Sequence, residues 1–395
     1  MSRKTTRRQV IGLLESADRR SSSSLTQRHD IDILQLIDHF LDEETLWMGS
    51  PENQYALQHH GVKLGLEAPY LLHAILAFSS SHMYYQNWES RFKTAATYHY
   101  DRLLALYVSQ LTKIDAVNID HLLGTCNLHV MLSFFNVSVD HPEPFEDPED
   151  HECDWNGFRA LQGGSVLQSV PTLRDHLGKS VWLPALQASG QWDDGYKPID
   201  EPIDIPADQT AYFVRCIEAV MDICDIPTSV HYSESPYFEP LRYLCDIVRG
   251  KLDNTAIGRL FAWVSKLSPT FVDMLEHMDP KCMVTMSYWF ALLIRFGQWW
   301  TFATARHACR RIVVFIYKSA GHSLRALLQF PAETCGVDLD KVDLTKKAHA
   351  RRIQSSNIDY RELHPEVVEW QTNGSTSEYS AESSSGSPSS FGAYT

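Results

Sequence analysis

A helical spacing of apolar residues recurs along this chain, and hardly any stretch shows the period-two alternation of a strand. The clearest case is YLLHAILAFSSSHMYY, which begins just after Pro69, a residue type that suits the first turn of a helix. The residues that share one face there are Tyr70, Ala74, Ala77, Phe78, Ser81 and Tyr85. The next stretch, WESRFKTAATYHYDRLLALYVSQLTK, continues the pattern. Together the two stretches predict a helical hairpin.

Further helices are expected downstream. The ranges with helical spacing are 119–137, 155–170, 209–224, 236–249 and 257–266. Asp279 and Pro280 then give a strong start signal, because the carboxylate can cap free N–H groups and the proline needs no donor in the first turn. The helical pattern continues to about residue 328, with a break expected at Gly297 and the tryptophan pair 299–300. We therefore predict an all-α, multi-helix domain in which two antiparallel helices flank that break.

The two ends of the chain differ from its helical middle. Residues 1–30 are basic and then rich in serine, and residues from about 371 onward are again polar and serine-rich. Such segments bury too little apolar surface to offset the entropy of ordering, so we expect disordered N- and C-terminal tails. The predicted organisation is a disordered N-terminus at 1–30, an all-α domain at 31–340, and a basic, then serine-rich tail at 341–395.

The composition argues against several classes of protein. With a net charge of −14, the chain lacks the broad basic surface of a protein that wraps nucleic acid. The eight cysteines are scattered without a CxxC pair, which favours reduced thiols in an intracellular compartment. The start shows no signal-peptide pattern, and the longest apolar tract, CMVTMSYWFALLI, is shorter than the about 20 residues of a membrane span. We expect neither secretion nor a membrane span.

An acidic segment interrupts the helical pattern at 139–155, with three prolines and eight acidic residues. Because so many charges cannot be buried unpaired, we expect a solvated surface loop. His141, His151 and Cys153 lie among these carboxylates, but their spacing lacks the tight pairs that zinc sites use. We therefore predict no metal site.

The common catalytic motifs GxSxG, HExxH, GxxxxGKS/T and GxGxxG do not occur in the sequence. An aspartate-rich stretch, QWDDGYKPID, lacks the second carboxylate that a helix binding magnesium and diphosphate needs. Histidines within apolar patterns, among them His73, His99 and His129, are expected to be hydrogen-bonded core residues. We predict that the chain is not an enzyme and that it binds no cofactor.

Two clusters of basic residues occur, RKTTRR near the start and KKAHARR after the predicted domain. Their members are Arg3, Lys4, Arg7, Arg8, Lys346, Lys347, Arg351 and Arg352. Such clusters are typical of nuclear-import signals or of contacts with phosphate. The alternative is a solvated, charged segment with neither role.

Several stretches carry a family resemblance. They are APYLLHAILAFSSSHMYY, RFKTAATYHYDRLLALY, DWNGFRALQGGSVL, WLPALQASG, YWFALLIRFGQWWTFATARHACRRI and LLQFPAETCG. In order and content they resemble the C-terminal regulatory domain of fungal zinc-cluster transcription factors, in particular the sterol uptake control group. The resemblance extends over about residues 31–337. Its most specific part is the helix that ends in paired tryptophans, followed by a helix with a small-residue face and by LQFP and a glycine.

The resemblance implies an all-α domain that binds an apolar small molecule in a helical pocket and thereby controls transcription. The matching segment 288–302 would supply a wall of that pocket, and an indole N–H of the tryptophan pair could bind a sterol-like hydroxyl. The candidate ligand-binding residues are Tyr288, Trp289, Phe296, Trp299, Trp300 and Phe302. The alternative is that the tryptophan pair belongs to the core or acts as a wedge between helices.

The sequence departs from this family because residues 1–125 contain no cysteine, whereas the family begins with six zinc-binding cysteines. Three explanations remain: a sequence that lacks its first part, a regulator that works through a DNA-bound partner, and a helical domain with another task. We predict a nuclear transcription regulator, shuttling from the cytoplasm, that is controlled by an apolar ligand and acts through the transcription machinery or a DNA-bound partner. Its exposed helical faces could form a homodimer. The alternatives are a helical enzyme or carrier for an apolar metabolite and a ligand-free interaction scaffold.

Overall fold

The structure is a computed structural model, and it describes Gly12 and the ranges 32–42, 49–112, 114–135, 158–163, 176–190, 216–224, 235–249 and 256–342. Every regular element in these ranges is a helix, and they contain no strand, which confirms the all-α prediction for this part of the chain. Apart from Gly12 and residues 341–342, the predicted tails lie outside the described residues, as do both basic clusters and the acidic segment 139–155. The predicted domain boundaries stay a prediction.

Five helices make up the first half of the described chain. They are α1 (Ile33–Asp42), α2 (Pro51–Ala56, continued by a π-helical turn at Leu57–Gly61 and by Val62–Gly65), α3 (Pro69–Asn87), α4 (Ser90–Gln110) and α5 (Ile119–Phe134). α3 and α4 pack against each other along their lengths, which confirms the predicted hairpin. α1, the end of α2 and α5 also pack on α3. Because α3 is buried from Tyr70 to Tyr84, it is the central helix of this half.

The ends of α3 follow from local chemistry. Pro69 occupies its first turn, where the missing N–H costs no hydrogen bond. The helix ends where Trp88 takes a left-handed conformation with φ of 56°, and the Trp88 N–H donates to the Tyr84 carbonyl at 2.7 Å. Tyr85, which was expected to share a face with Tyr70, Ala74 and Phe78, is 45% exposed near the end of the helix, whereas those three residues are buried.

Eight further helices follow in the second half of the described chain. They are α6 (Leu183–Ala188), α7 (Phe238–Arg249), α8 (Ala256–Ser265), α9 (Pro269–Glu276), α10 (Pro280–Phe296), α11 (Phe302–Ser319), α12 (His322–Ala326) and α13 (Gln329–Cys335). Shorter helical stretches occur at 158–163 and 216–223. The helix predicted at 119–137 ends earlier, at Phe134, and parts of those predicted at 155–170 and 209–224 lie outside the described residues.

α10 begins and ends as its sequence predicts. The Asp279 Oδ1 atom accepts hydrogen bonds from the backbone N–H groups of Lys281 and Cys282, both at 3.0 Å. Gly297 ends the helix in a left-handed conformation with φ of 59°. After the break, α11 packs back along α10, and α13 packs on both helices. The expected antiparallel pair around the tryptophans is therefore present.

Of the histidines in apolar patterns, His73 and His99 are buried in the core, as expected, and His129 is half-buried. Nδ1 of His73 and Nδ1 of His99 are 2.9 Å apart between α3 and α4. His129 on α5 lies 3.2 Å from the hydroxyl of Tyr100 on α4. A third contact joins His39 on α1 to His82 on α3, again at 2.9 Å. Histidine side chains thus connect neighbouring helices of the first half by hydrogen bonds.

Candidate functional site

The two adjacent tryptophans after α10 contact different parts of the core. The ring of Trp299 packs at centroid distances of 4.8–5.8 Å against Phe78, His82, Tyr85 and Phe135. Trp300 instead stacks on Phe261 of α8 at 5.3 Å. Nε1 of Trp299 is buried and has no hydrogen-bond partner among the described residues. The pair therefore holds the turn between α10 and α11 against α3 on one side and α8 on the other.

Tyr288 and Trp289 already use their polar atoms inside the protein. The Tyr288 hydroxyl donates to the carbonyl of Leu327 at 2.7 Å, and Trp289 Nε1 donates to the carbonyl of Leu260 at 2.9 Å. Trp289 also stacks on Trp263 with a ring distance of 5.8 Å. These contacts fix α10 in the core and leave neither donor for a ligand.

The last two candidate residues lie nearer the surface. Phe296 is half-buried at the end of α10, and Phe302 is 41% exposed at the start of α11. The six candidate residues thus occupy three environments: the core, the α3 contact and the surface. They do not form one continuous wall.

A cavity of about 130 Å³ lies elsewhere, where the start of α2, α5, α6, α8 and Trp300 meet. Its lining residues are Gly49, Ser50, Asn53, Leu123, Cys126, Asn127, Val130, Met131, Leu161, Trp182, Ala185, Leu186, Ser189, Gly258, Phe261 and Trp300. Trp300 alone of the six candidates belongs to this lining.

Polar groups contribute part of the lining. Ser50 caps α2, because its Oγ accepts the N–H of Asn53 at 3.3 Å. The Nδ2 group of Asn127 donates to Oδ1 of Asn53. A Cβ atom built on Gly258 would lie 3.3 Å from Cβ of Ser189 and 3.8 Å from Cβ of Ser50. The absence of a side chain at position 258 therefore lets α8 approach the two serines closely.

The aromatic wall of the cavity is held in place by Trp182. Its Nε1 donates to the carbonyl of Asp120 at 2.8 Å, which fixes the indole against α5. A Cβ atom on Gly124 would lie only 2.6 Å from Cζ2 of this indole, so the close contact requires glycine. These two constraints set the position of the wall.

Among the described residues that line the cavity, none is Asp, Glu, Lys, Arg or His. The one thiol, Cys126, has its pKa raised to about 11 by burial, so it is neutral at physiological pH. The described ranges contain no group of three side chains able to hold a metal ion. Among the helices described, none is long and apolar enough to cross a membrane.

Most residues of this cavity were not predicted from the sequence. Its lining comes from segments far apart along the chain, and no local pattern connects them. Two signals were available: the Ser50–Pro51 start of α2, and the glycines at 124 and 258 inside apolar helical patterns, which indicate close approach of another element.

The described part of the chain is an all-α domain with a small cavity between its helices. No family model matches the chain. The chain is similar to sterol uptake control protein 2 of Candida albicans (strain SC5314 / ATCC MYA-2876), with 26% identity over 239 residues. The alignment covers 59% of this chain and 32% of that protein, so the chain spans about a third of the length of this curated relative. The similarity supports the resemblance to the sterol uptake control group.

Proposed function

We propose that this chain is a nuclear regulator of transcription whose activity is controlled by a small molecule. The observation that carries the proposal is its similarity to sterol uptake control protein 2. The cavity supports control by a ligand, because Trp300, which belongs to the most specific stretch of the family resemblance, is one of its lining residues. The other five candidates remain predicted ligand-binding residues.

A ligand in the cavity would act through the turn between α10 and α11. Trp300 lines the cavity, and its neighbour Trp299 packs on His82 and Tyr85 of α3. Because the two residues share one short turn, a displacement of Trp300 is transmitted to the surface at Tyr85, which is 45% exposed. This surface is the proposed output of ligand binding.

Contact with DNA is proposed to pass through a partner. The chain has a net charge of −14, which argues against a broad basic surface that neutralises DNA phosphates. The basic clusters around Arg3 and Lys346 are proposed to serve nuclear import or to contact phosphate. Regulation through a DNA-bound partner is consistent with the negative net charge and with the basic clusters.

An enzyme or carrier for an apolar metabolite would use the same cavity. The described lining residues include no Asp, Glu, Lys, Arg or His that could act as a general acid or base, which favours a regulator over an enzyme. A carrier remains as the second candidate, and a ligand-free scaffold as the third.

Tethering to DNA tests the proposal. The full chain is fused to a DNA-binding domain of known target, and transcripts of a reporter gene with that target are counted. We expect a change in reporter transcription, and we expect the cavity-filling substitution Ala185→Phe to alter it while Ala188→Phe, on the same helix but outside the cavity, does not. Reporter transcription equal to that of the DNA-binding domain alone would overturn the proposal.

A further inference from the structure

We propose that the cavity binds a small, neutral molecule with one hydrogen-bonding group, and that an intact sterol does not fit it. This inference rests on the proposed function and names the ligand class of the same site. It follows from the size of the cavity, the position of its polar groups and the absence of charge among its described lining residues.

The size of the cavity limits the ligand. At about 130 Å³ it falls below the range of about 300–1,000 Å³ that is usual for drug-sized ligands. A cavity of about 150 Å³ in another protein holds a benzene molecule. The volume therefore suits a single ring with a small substituent, and the four fused rings of a sterol exceed it.

The walls resist enlargement. Trp182 is fixed by its hydrogen bond to Asp120 and by the close contact at Gly124. Phe261 and Trp300 are stacked on each other at an interplanar angle of 23°. A sterol would have to displace these aromatic side chains, and each displacement would break a packed contact of the core.

The polar groups of the lining fit one hydrogen-bonding substituent. Asn127 uses its Nδ2 group on Asn53, which leaves Oδ1 of Asn127 as an acceptor. The Ser50 Oγ accepts a backbone N–H, which leaves its hydroxyl hydrogen as a donor. An amide or hydroxyl group on the ligand can therefore donate to Asn127 and accept from Ser50.

The described lining residues carry no charge, which disfavours ionised ligands. A carboxylate or ammonium group in the cavity would lose its water and meet no opposite charge among the lining residues. The neutral Cys126 thiol does not compensate. A neutral amide is therefore expected to bind better than the carboxylate of the same shape.

Benzamide and benzoate test this ligand class, because they share one shape and differ in charge. Binding of each to the purified full chain is measured by saturation-transfer NMR titration, with ergosterol as a third probe. We expect saturable benzamide binding and an affinity for benzoate that is lower by about tenfold or more. We expect ergosterol not to bind in the cavity, so that Ala185→Phe does not change any ergosterol signal. Equal affinity for benzamide and benzoate, absence of saturable benzamide binding, or ergosterol binding lost in Ala185→Phe would overturn the inference.

Two variants locate the binding. Ala185→Phe fills the cavity and is expected to weaken benzamide binding by about tenfold or more, whereas Ala188→Phe is expected to leave it unchanged. If Ala185→Phe does not fold, Gly258→Ala is used instead, because it adds a single methyl group between Ser189 and Ser50. This variant is also expected to weaken benzamide binding. Unchanged benzamide affinity in the folded variant would contradict the location.

This binding experiment and the tethering experiment can fail separately. If benzamide does not bind but reporter regulation is intact, the proposed ligand class is contradicted and the proposed regulatory function is not. If benzamide binds but the tethered chain has no effect on the reporter, the proposed regulatory function is contradicted. The small-molecule site is then retained, as the carrier alternative requires.

Discussion

Nδ1 of His73 and Nδ1 of His99 lie 2.9 Å apart in the core between α3 and α4. Such a contact needs one donor and one acceptor nitrogen, so at least one of the two rings must be neutral. His73 is fully buried, and its pKa is lowered to about 3, first by burial and then by the positive charge of Arg102. The central hairpin therefore contains a histidine that is neutral at every physiological pH.

Acid is expected to destabilise the protein through this residue. The ordinary pKa of histidine is about 6.5, so below that pH the unfolded chain binds a proton that folded His73 does not. The free energy of unfolding should then fall by up to about 1.4 kcal/mol per pH unit from this site between pH 6.5 and 4. Urea unfolding at pH 7, 6 and 5 measures this slope, and His73→Gln should reduce it.

Ile75→Val is the matched control for the pH dependence, because Ile75 is equally buried on α3 and does not titrate. It should lower stability by a similar amount at every pH. His129, whose pKa burial also lowers, contributes a slope of the same sign in all variants. A slope in His73→Gln as steep as in the wild type would contradict the assignment.

The contact between Gly124 and Trp182 predicts that Gly124→Ala is destabilising. The new Cβ would lie 2.6 Å from Cζ2 of the indole, so the cavity wall must shift. We expect a loss of about 1–3 kcal/mol in the free energy of unfolding, measured by chemical denaturation. Gly163→Ala is the control, because no atom lies within 4 Å of the corresponding Cβ position. Equal stability of the two variants would show that the wall is not packed as described.

The buried hydroxyl of Tyr288 is expected to serve stability and not ligand binding. In Tyr288→Phe the Leu327 carbonyl loses its donor, which should cost about 1–3 kcal/mol. Tyr55→Phe, at a tyrosine that is 58% exposed, should change stability by less than about 0.5 kcal/mol. Thermal or urea unfolding gives the two values. A Tyr288→Phe variant of normal stability but reduced benzamide affinity would restore this residue to the ligand site.

The cap of α10 can be tested by a pair of substitutions at Asp279. Asp279→Ala removes the acceptor for the N–H groups of Lys281 and Cys282 and should cost about 0.5–2 kcal/mol. Asp279→Asn keeps an oxygen in place and should retain most of the stability. Urea unfolding midpoints of the two variants and of the wild type give the loss of stability in each. Equal losses in both would assign the effect to the carboxylate charge.

The sequence predicts the helices best where local signals are complete. The hairpin of α3 and α4 follows from a long helical spacing after Pro69, and the start of α10 follows from Asp279 and Pro280. These features depend on residues within a few positions of one another. Helix type and approximate bounds could therefore be predicted from the sequence.

The cavity could not be predicted in the same way. Ser50, Asn127, Trp182, Gly258 and Trp300 meet only after the helices have packed. The sequence places the tryptophan pair in one turn, but it does not show that the two rings contact different helices. Side-chain direction at such a turn depends on the backbone of the break, which no periodic pattern specifies.

Chromatin occupancy of the tagged full chain tests the central claim most directly. Genome-wide crosslinking is compared with a variant in which Arg3, Lys4, Arg7 and Arg8 are replaced by alanine. Discrete occupancy at promoters, with a reduced signal in the variant, is the predicted result. A chain that stays in the cytoplasm and gives no chromatin signal would contradict the account.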